Sequence, residues 1–196
     1  GTALTTGDSN VAIGFEALKT EDANGFNTAV GYHALRALNA GADAYNVAVG
    51  YRAGLGITTG VRNTIIGGIA GDALTEGDYN VAIGMNALSA DTLGSRSIAI
   101  GPDALAIQNF TSATDAYNIA IGFQSGVAVT TGFQNILIGG LSGDAITTGE
   151  KNVAIGHNAF SANTTGAGNT TVGAYSLDAN TTADNNTAMG QSALGA

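Results

Sequence analysis

The sequence has no cysteine and no tryptophan, and only one proline in 196 residues. Charged residues make up 11% of the chain, against roughly 25% in an average protein. Without cysteine there is no disulfide framework, no thiolate nucleophile and no cysteine-ligated metal, which is compatible with an extracellular or virion location. No apolar run approaches the roughly 20 residues of a membrane-spanning helix, so we expect no membrane insertion.

Basic residues are scarce and scattered, and the chain has a net charge of −9 and a pI near 4.2. A chain of this charge repels phosphate backbones, so we expect no nucleic-acid partner. The first residue is Gly1, in the middle of a repeated phrase, which indicates a fragment of a longer fibre protein. The basic residues are Lys19, Arg36, Arg52, Arg62, Arg96 and Lys151.

The chain is instead rich in glycine, with 30 residues, and in repetition. A phrase of the form N-x-A-[IV]-G, such as NVAIGFEAL from Asn10, starts at eleven places. The spacing is 17 residues, apart from one interval of 19 and one of 21. We call the first residue of each phrase the anchor of a coil and count positions from it. Regular spacing with extra residues only between phrases is typical of a solenoid with loop extensions.

Glycine occupies position +4 of every coil. This recurrence predicts a corner where the backbone φ is positive or another backbone approaches too closely for a Cβ atom. The predicted corner glycines are Gly14, Gly31, Gly50, Gly67, Gly84, Gly101, Gly122, Gly139, Gly156, Gly173 and Gly190.

The anchor is asparagine in ten coils and Ser97 in the other. This pattern predicts a ladder of stacked side-chain amides that satisfies turn backbone groups, coil above coil. The predicted ladder consists of Asn10, Asn27, Asn46, Asn63, Asn80, Asn118, Asn135, Asn152, Asn169 and Asn186.

Positions +1 to +3 predict a short β-strand with two apolar faces, because side chains alternate along a strand. We expect the bulky residue at +3 to lie in the core and the small residue at +2, mostly Ala, to allow neighbouring chains to approach closely. The TTG phrases before the anchors, with Ala-Leu at +7 and +8, predict a second short, half-buried segment in each coil. The fold expected for residues 1–196 is all-β: a single parallel β-solenoid or β-roll domain of about eleven 17-residue coils, roughly 50 Å long.

The phrase N-[VT]-A-[IV]-G-[FY]-x-A-L, followed by TTG, resembles the head repeats of trimeric autotransporter adhesins. It is also similar to 17-residue arrays of phage tail fibres and bacterial surface proteins, which often precede an endosialidase-type intramolecular chaperone domain. The resemblance covers almost the whole chain, from about Leu4 to Leu194. It implies a left-handed parallel β-roll in a homotrimeric fibre that contributes length and adhesion.

Groups able to carry catalysis or bind metal are few. His33 and His157 lie in well-separated coils, and no constellation of acid, base and nucleophile is visible, so we expect no enzymatic activity. Asp72 and Asp144, in GGIAGDAL and GGLSGDAI, are weak candidates for a Ca²⁺ site, with turn capping as the alternative. No cofactor is expected otherwise.

Aromatic residues are the best candidates for recognition. Tyr45, Tyr79, Tyr117 and Phe26 directly precede anchors. Such rings stack on sugars or pack between chains. The sequence therefore predicts a structural or adhesive segment of an extracellular trimeric fibre, on a cell surface or a virion, with a host-surface glycan or protein as possible receptor. The alternative is a monomeric solenoid that binds ice or glycans through one flat repetitive face.

Overall fold

The computed structural model describes residues 7–21, 23 and 25–195 and shows an all-β chain. One parallel sheet contains eleven three-residue strands in chain order, with each strand paired in register to the next, as in Ala12 with Ala29. Its strands are β1 Val11–Ile13, β2 Thr28–Val30, β3 Val47–Val49, β4 Thr64–Ile66, β5 Val81–Ile83, β7 Ile98–Ile100, β9 Ile119–Ile121, β10 Ile136–Ile138, β11 Val153–Ile155, β12 Thr170–Val172 and β13 Thr187–Met189. Two shorter strands, β6 Gly94–Ser95 and β8 Thr114–Asp115, form a separate parallel pair.

This architecture confirms the predicted parallel β-solenoid, with about ten turns between the first and last strands of the sheet. At about 4.8 Å per strand, the sheet is roughly 48 Å long. Within the described residues, no helix is long and apolar enough to cross a membrane.

The predicted corner glycines are confirmed. All eleven have a positive φ, between 120° and 141°. In Gly84, with φ 130°, an added Cβ atom would lie 2.6 Å from the carbonyl carbon of Gly101 in the next coil. The strands therefore stack too closely at this corner for any side chain.

The asparagine ladder is also confirmed. The side-chain oxygen of Asn63 accepts the backbone N–H of Asn80 at 2.8 Å, and its amide nitrogen donates to the carbonyl of Gly77 at 2.8 Å. The anchors from Asn27 to Asn169 are fully buried. From Asn46 to Asn152, each amide thus satisfies two buried backbone groups, the N–H of the next anchor and a carbonyl in the segment before that anchor.

The ladder changes at Ser97, whose side chain is too short to reach the next coil. Gln108 fills the gap, because its amide nitrogen donates to the Ser97 hydroxyl at 3.1 Å and its oxygen accepts from the side chain of Asn118 at 2.8 Å. Ser97 itself donates its backbone N–H to Asn80 at 2.9 Å. A glutamine from another part of the same coil thereby keeps the polar column continuous.

The expected orientation of the strands is wrong. The +2 residues, such as Ala48 and Ala82, are fully buried, whereas the +1 and +3 residues are only partly buried or exposed. The anchor amide points into the solenoid, and alternation along the strand puts +2 on the same side and +1 and +3 outside. Small alanines therefore line a narrow core, and the bulky Ile and Val columns face outward.

The second segment of each coil is a turn rather than a further strand, except where β6 and β8 pair. Its Ala and Leu residues at +7 and +8, such as Ala87 and Leu88, are fully buried, whereas Met85 of the same segment is exposed, as expected of a half-buried segment. They pack against the +2 alanines to form the core. The 21-residue coil that follows Ser97 loops out after Gln108, and Phe110 covers this loop with 6% of its surface exposed.

Core volume is conserved where the pattern varies. Ile65 and Leu137 replace alanine at +2 and are fully buried. In the same coils the +8 residue is glycine instead of leucine, and a Cβ on Gly143 would lie 2.7 Å from Leu137 Cδ2. The preceding coil also has glycine at +8, since a Cβ on Gly126 would lie 2.6 Å from Leu137 Cδ1. A large residue at +2 is thus offset by glycine at the +8 positions that face it, which keeps the total side-chain volume of the core similar.

Candidate functional site

One candidate interaction surface is the outer side of the sheet, which we call the outer aliphatic face and define by positions +1 and +3 of all coils. Its +1 residues are Val11, Thr28, Val47, Thr64, Val81, Ile98, Ile119, Ile136, Val153, Thr170 and Thr187. Its +3 residues are Ile13, Val30, Val49, Ile66, Ile83, Ile100, Ile121, Ile138, Ile155, Val172 and Met189. The face has no charged residue, and within the described residues no other element covers it. Contiguous apolar surface of this kind marks a contact site.

The four aromatic residues proposed for recognition lie in one column on the surface of the solenoid, at position −1. Phe26 and Tyr45 stack with their ring centroids 4.9 Å apart, and Tyr79 and Tyr117 follow in later coils. Each of the four exposes between 41% and 49% of its surface. The structure therefore brings these residues together as one array.

Two arginines complete this array and were missed in the sequence. The guanidinium carbon of Arg62 lies 6.0 Å from the ring centroid of Tyr45 and 5.3 Å from that of Tyr79. Arg96 lies 4.8 Å from Tyr79 and 5.9 Å from Tyr117. Both arginines stand at position −1, as the four aromatic residues do. An alignment of the coils would therefore have placed them in the same array.

A second aromatic stack lies at position +5, on the other side of the strand. Phe15, Tyr32 and Tyr51 stack with centroid distances of 5.3 and 5.6 Å, and His33 lies 3.9 Å from Tyr32. Further along this column stand Phe123 and His157. In each coil, the −1 residue precedes and the +5 residue follows the strand whose outward side chains form the outer aliphatic face.

The calcium candidates do not form a site. Asp72 and Asp144 lie at position +9 of coils that are four apart in the stack. Burial raises the pKa of Asp72, whereas Arg52, at 3.7 Å from its carboxylate, acts against this rise. Burial also raises the pKa of Asp144, and one of its oxygens is buried without a hydrogen-bond partner among the described residues. The described part of the chain contains no group of three or more His, Asp or Glu side chains placed to hold a metal ion.

A buried polar cluster lies at the 21-residue coil. The Asp91 carboxylate is inaccessible to solvent and accepts the Gln108 side-chain amide at 2.6 Å and the backbone N–H groups of Gly94 at 3.0 Å and Phe110 at 3.2 Å. Burial raises the pKa of Asp91, and these hydrogen bonds oppose that rise. Gln108 and Phe110 lie at the loop and Gly94 lies in β6, before Ser97, so the cluster ties the loop to the solenoid.

Glu16 and the threonines that open the described TTG phrases use their polar side chains in contacts within the chain. Glu16 binds Lys19 and Arg36, each at 2.6 Å, and these partners lower the pKa of Glu16 to about 2. Among the described residues, the Thr residues that open TTG phrases donate their hydroxyls to the next coil, as Thr147 does to the carbonyl of Thr164 at 3.0 Å. This column therefore uses its hydroxyls within the chain.

Comparison of the chain with protein families, with curated proteins and with solved structures gives no match.

Proposed function

We propose that this chain is a rigid, non-enzymatic segment of an extracellular trimeric fibre, on a phage tail or a bacterial surface, in which it supplies length and receptor contact. The observation that carries the proposal is the outer aliphatic face, an uncharged stripe that runs along all eleven strands. Water-exposed apolar surface of this length gains free energy when it is buried, at about 25 cal/mol per Å². Two further copies of the same chain offer a surface of the same length and repeat.

The rest of the molecule supports a structural role. The described residues enclose no pocket for a small substrate. Buried polar side chains, such as Asn63 and Asp91, bond to backbone groups and to one another. An uncharged exterior stripe and an interior column of hydrogen-bonded amides suit a stiff element that assembles with itself.

The test is the mass of the chain in solution, measured by light scattering during size exclusion over a series of protein concentrations. A trimer has three times 19.3 kDa, about 58 kDa. A mass of one chain at all concentrations would contradict the fibre and favour the alternative, a monomeric solenoid that binds ice or glycans through its flat face.

A further inference from the structure

The −1 column forms a continuous stack over six successive coils, which we call the aromatic–guanidinium ladder. It begins with Phe26 on Tyr45 and continues with arginines and tyrosines in alternation. At about 4.8 Å per coil it extends for roughly 24 Å along the rod. Its members are Phe26, Tyr45, Arg62, Tyr79, Arg96 and Tyr117.

Positive charge is concentrated in this column. Of six basic residues in a chain of net charge −9, three stand at position −1, namely Arg62, Arg96 and Lys151, and no acidic residue stands there. Arg96 pairs with the exposed Asp115 at 2.9 Å, and Lys151 with Glu150 at 2.8 Å. Arg62 has no acidic partner among the described residues and donates to the Tyr79 hydroxyl. Arg62 therefore offers its guanidinium to an anion from outside, and Arg96 offers the N–H groups that do not contact Asp115.

The geometry of the ladder restricts the anion. The aromatic faces lie against each other and against the guanidinium groups, so a ligand meets ring edges, tyrosine hydroxyls and guanidinium N–H groups. Arg62 and Arg96 stand two coils apart, about 9.6 Å, whereas one strand of duplex DNA carries a phosphate for about every 3.4 Å of helix axis. A polymer with sparse charges and many hydroxyl groups fits this spacing, and guanidinium binds carboxylate through paired hydrogen bonds.

We propose that the aromatic–guanidinium ladder binds an extended acidic polysaccharide, with carboxylates on Arg62 and Arg96 and sugar hydroxyls on the intervening tyrosines. The proposal rests on the adhesive role proposed above and names its ligand class. Charged guanidinium groups are costly to bury, which keeps the ladder at the solvent-facing border of an interface formed by the outer aliphatic face.

The probe is a fluorescently labelled hyaluronan oligosaccharide, which has a carboxylate on every second sugar, and the measurement is anisotropy on the intact chain. The expected result is binding that weakens with salt and that is absent for a neutral chitin oligosaccharide of the same length. The Arg62→Gln/Arg96→Gln variant is expected to bind at least about tenfold more weakly, because its two charge-assisted contacts with the oligosaccharide are lost.

The matched control is Arg36→Gln/Arg52→Gln, which removes the same charge from other columns. It is expected to retain binding. Equal loss in both variants, equal binding of the neutral oligomer or of single-stranded DNA, or no hyaluronan binding by the unsubstituted chain would overturn the proposal. If the glutamine variant has a lower Tm than the unsubstituted chain, Arg62→Lys/Arg96→Lys is measured instead. This variant keeps the positive charge but lacks the planar guanidinium group. An unchanged affinity in this variant would overturn the paired hydrogen bonds to carboxylate.

The mass of each sample separates this proposal from the fibre. A monomer that binds hyaluronan through Arg62 and Arg96 would contradict the trimer and support the ladder site. A trimer that does not bind hyaluronan would support the fibre and contradict the ladder site.

Discussion

Corner glycines such as Gly84 have no room for a side chain. Replacing Gly84 by Val places a branched side chain at φ 130° and a Cβ atom 2.6 Å from the backbone of Gly101. Strain at such a φ costs on the order of 1–3 kcal/mol before the clash is counted. We expect Gly84→Val to lower the free energy of unfolding by about 3 kcal/mol or more, measured by denaturant titration.

Gly68 provides the control in the preceding coil. A Cβ on Gly68 has no atom within 4 Å, and its φ lies outside the left-handed region. Gly68→Val should therefore change the stability by no more than about 0.5 kcal/mol. Equal effects of the two substitutions would rule out the corner as the cause.

The carboxyl of Asp144 makes stability depend on pH. Because burial raises its pKa in the folded chain above 3.8, the folded chain retains a proton that the unfolded chain has lost. Its contribution to stability therefore falls as pH rises from 3.8 through the folded pKa. We expect Asp144→Asn to raise the Tm at neutral pH, with a gain in the free energy of unfolding of less than about 1 kcal/mol because solvent screens the partly exposed group. The substitution should have no effect below about pH 3.

Glu76→Gln is the control for the loss of one negative charge, because Glu76 is exposed. A gain in Tm for Asp144→Asn that persisted at low pH, or that Glu76→Gln matched at neutral pH, would contradict an origin in burial.

At the scale of the coil, stability depends on pairs of residues that share core volume. Leu137→Ala alone leaves a cavity, and Gly143→Leu alone forces a side chain against Leu137. Their combination restores the common pattern of Ala at +2 and Leu at +8. The backbone allows it, since Gly143 has φ 58° and Leu88 and Leu105 at +8 have φ 52° and 49°.

We therefore expect the double variant to be more stable than either single variant. A coupling free energy of about 1–3 kcal/mol is reasonable for residues in contact, and a double-mutant cycle by chemical denaturation measures it. Additive single effects would show that the two positions do not share space.

Some features of the coil could be predicted from the sequence alone, and others could not. Gly84 and Asn63 could be assigned because each serves a backbone need that recurs in every coil, so the column itself reveals the role. The orientation of Ala48 was predicted wrongly from side-chain size. Its correct placement follows from the anchor, because Asn46 can reach the next coil only from inside, and the residue two positions later shares that side. Gln108 could not be predicted, because it bonds to Ser97 and Asn118 across an irregular loop.

For the whole molecule, the proposed trimer assembles three chains through the outer aliphatic face. Ile100 stands at +3 in the middle of this face and is partly exposed in the single chain. A lysine there would be buried without a partner in the proposed trimer, and an uncompensated buried charge costs about 3–5 kcal/mol. We expect Ile100→Lys to shift the mass by light scattering from three chains towards one while the circular dichroism of the β-solenoid is retained.

Thr131→Lys is the matched control, because it adds the same charge at an exposed turn away from the face. It should remain a trimer, since an exposed lysine needs no partner. An Ile100→Lys variant that stays trimeric at the same concentrations as Thr131→Lys would move the interface away from the outer aliphatic face. Loss of the trimer in Ile100→Lys alone would tie assembly to the columns that the fold turns outward.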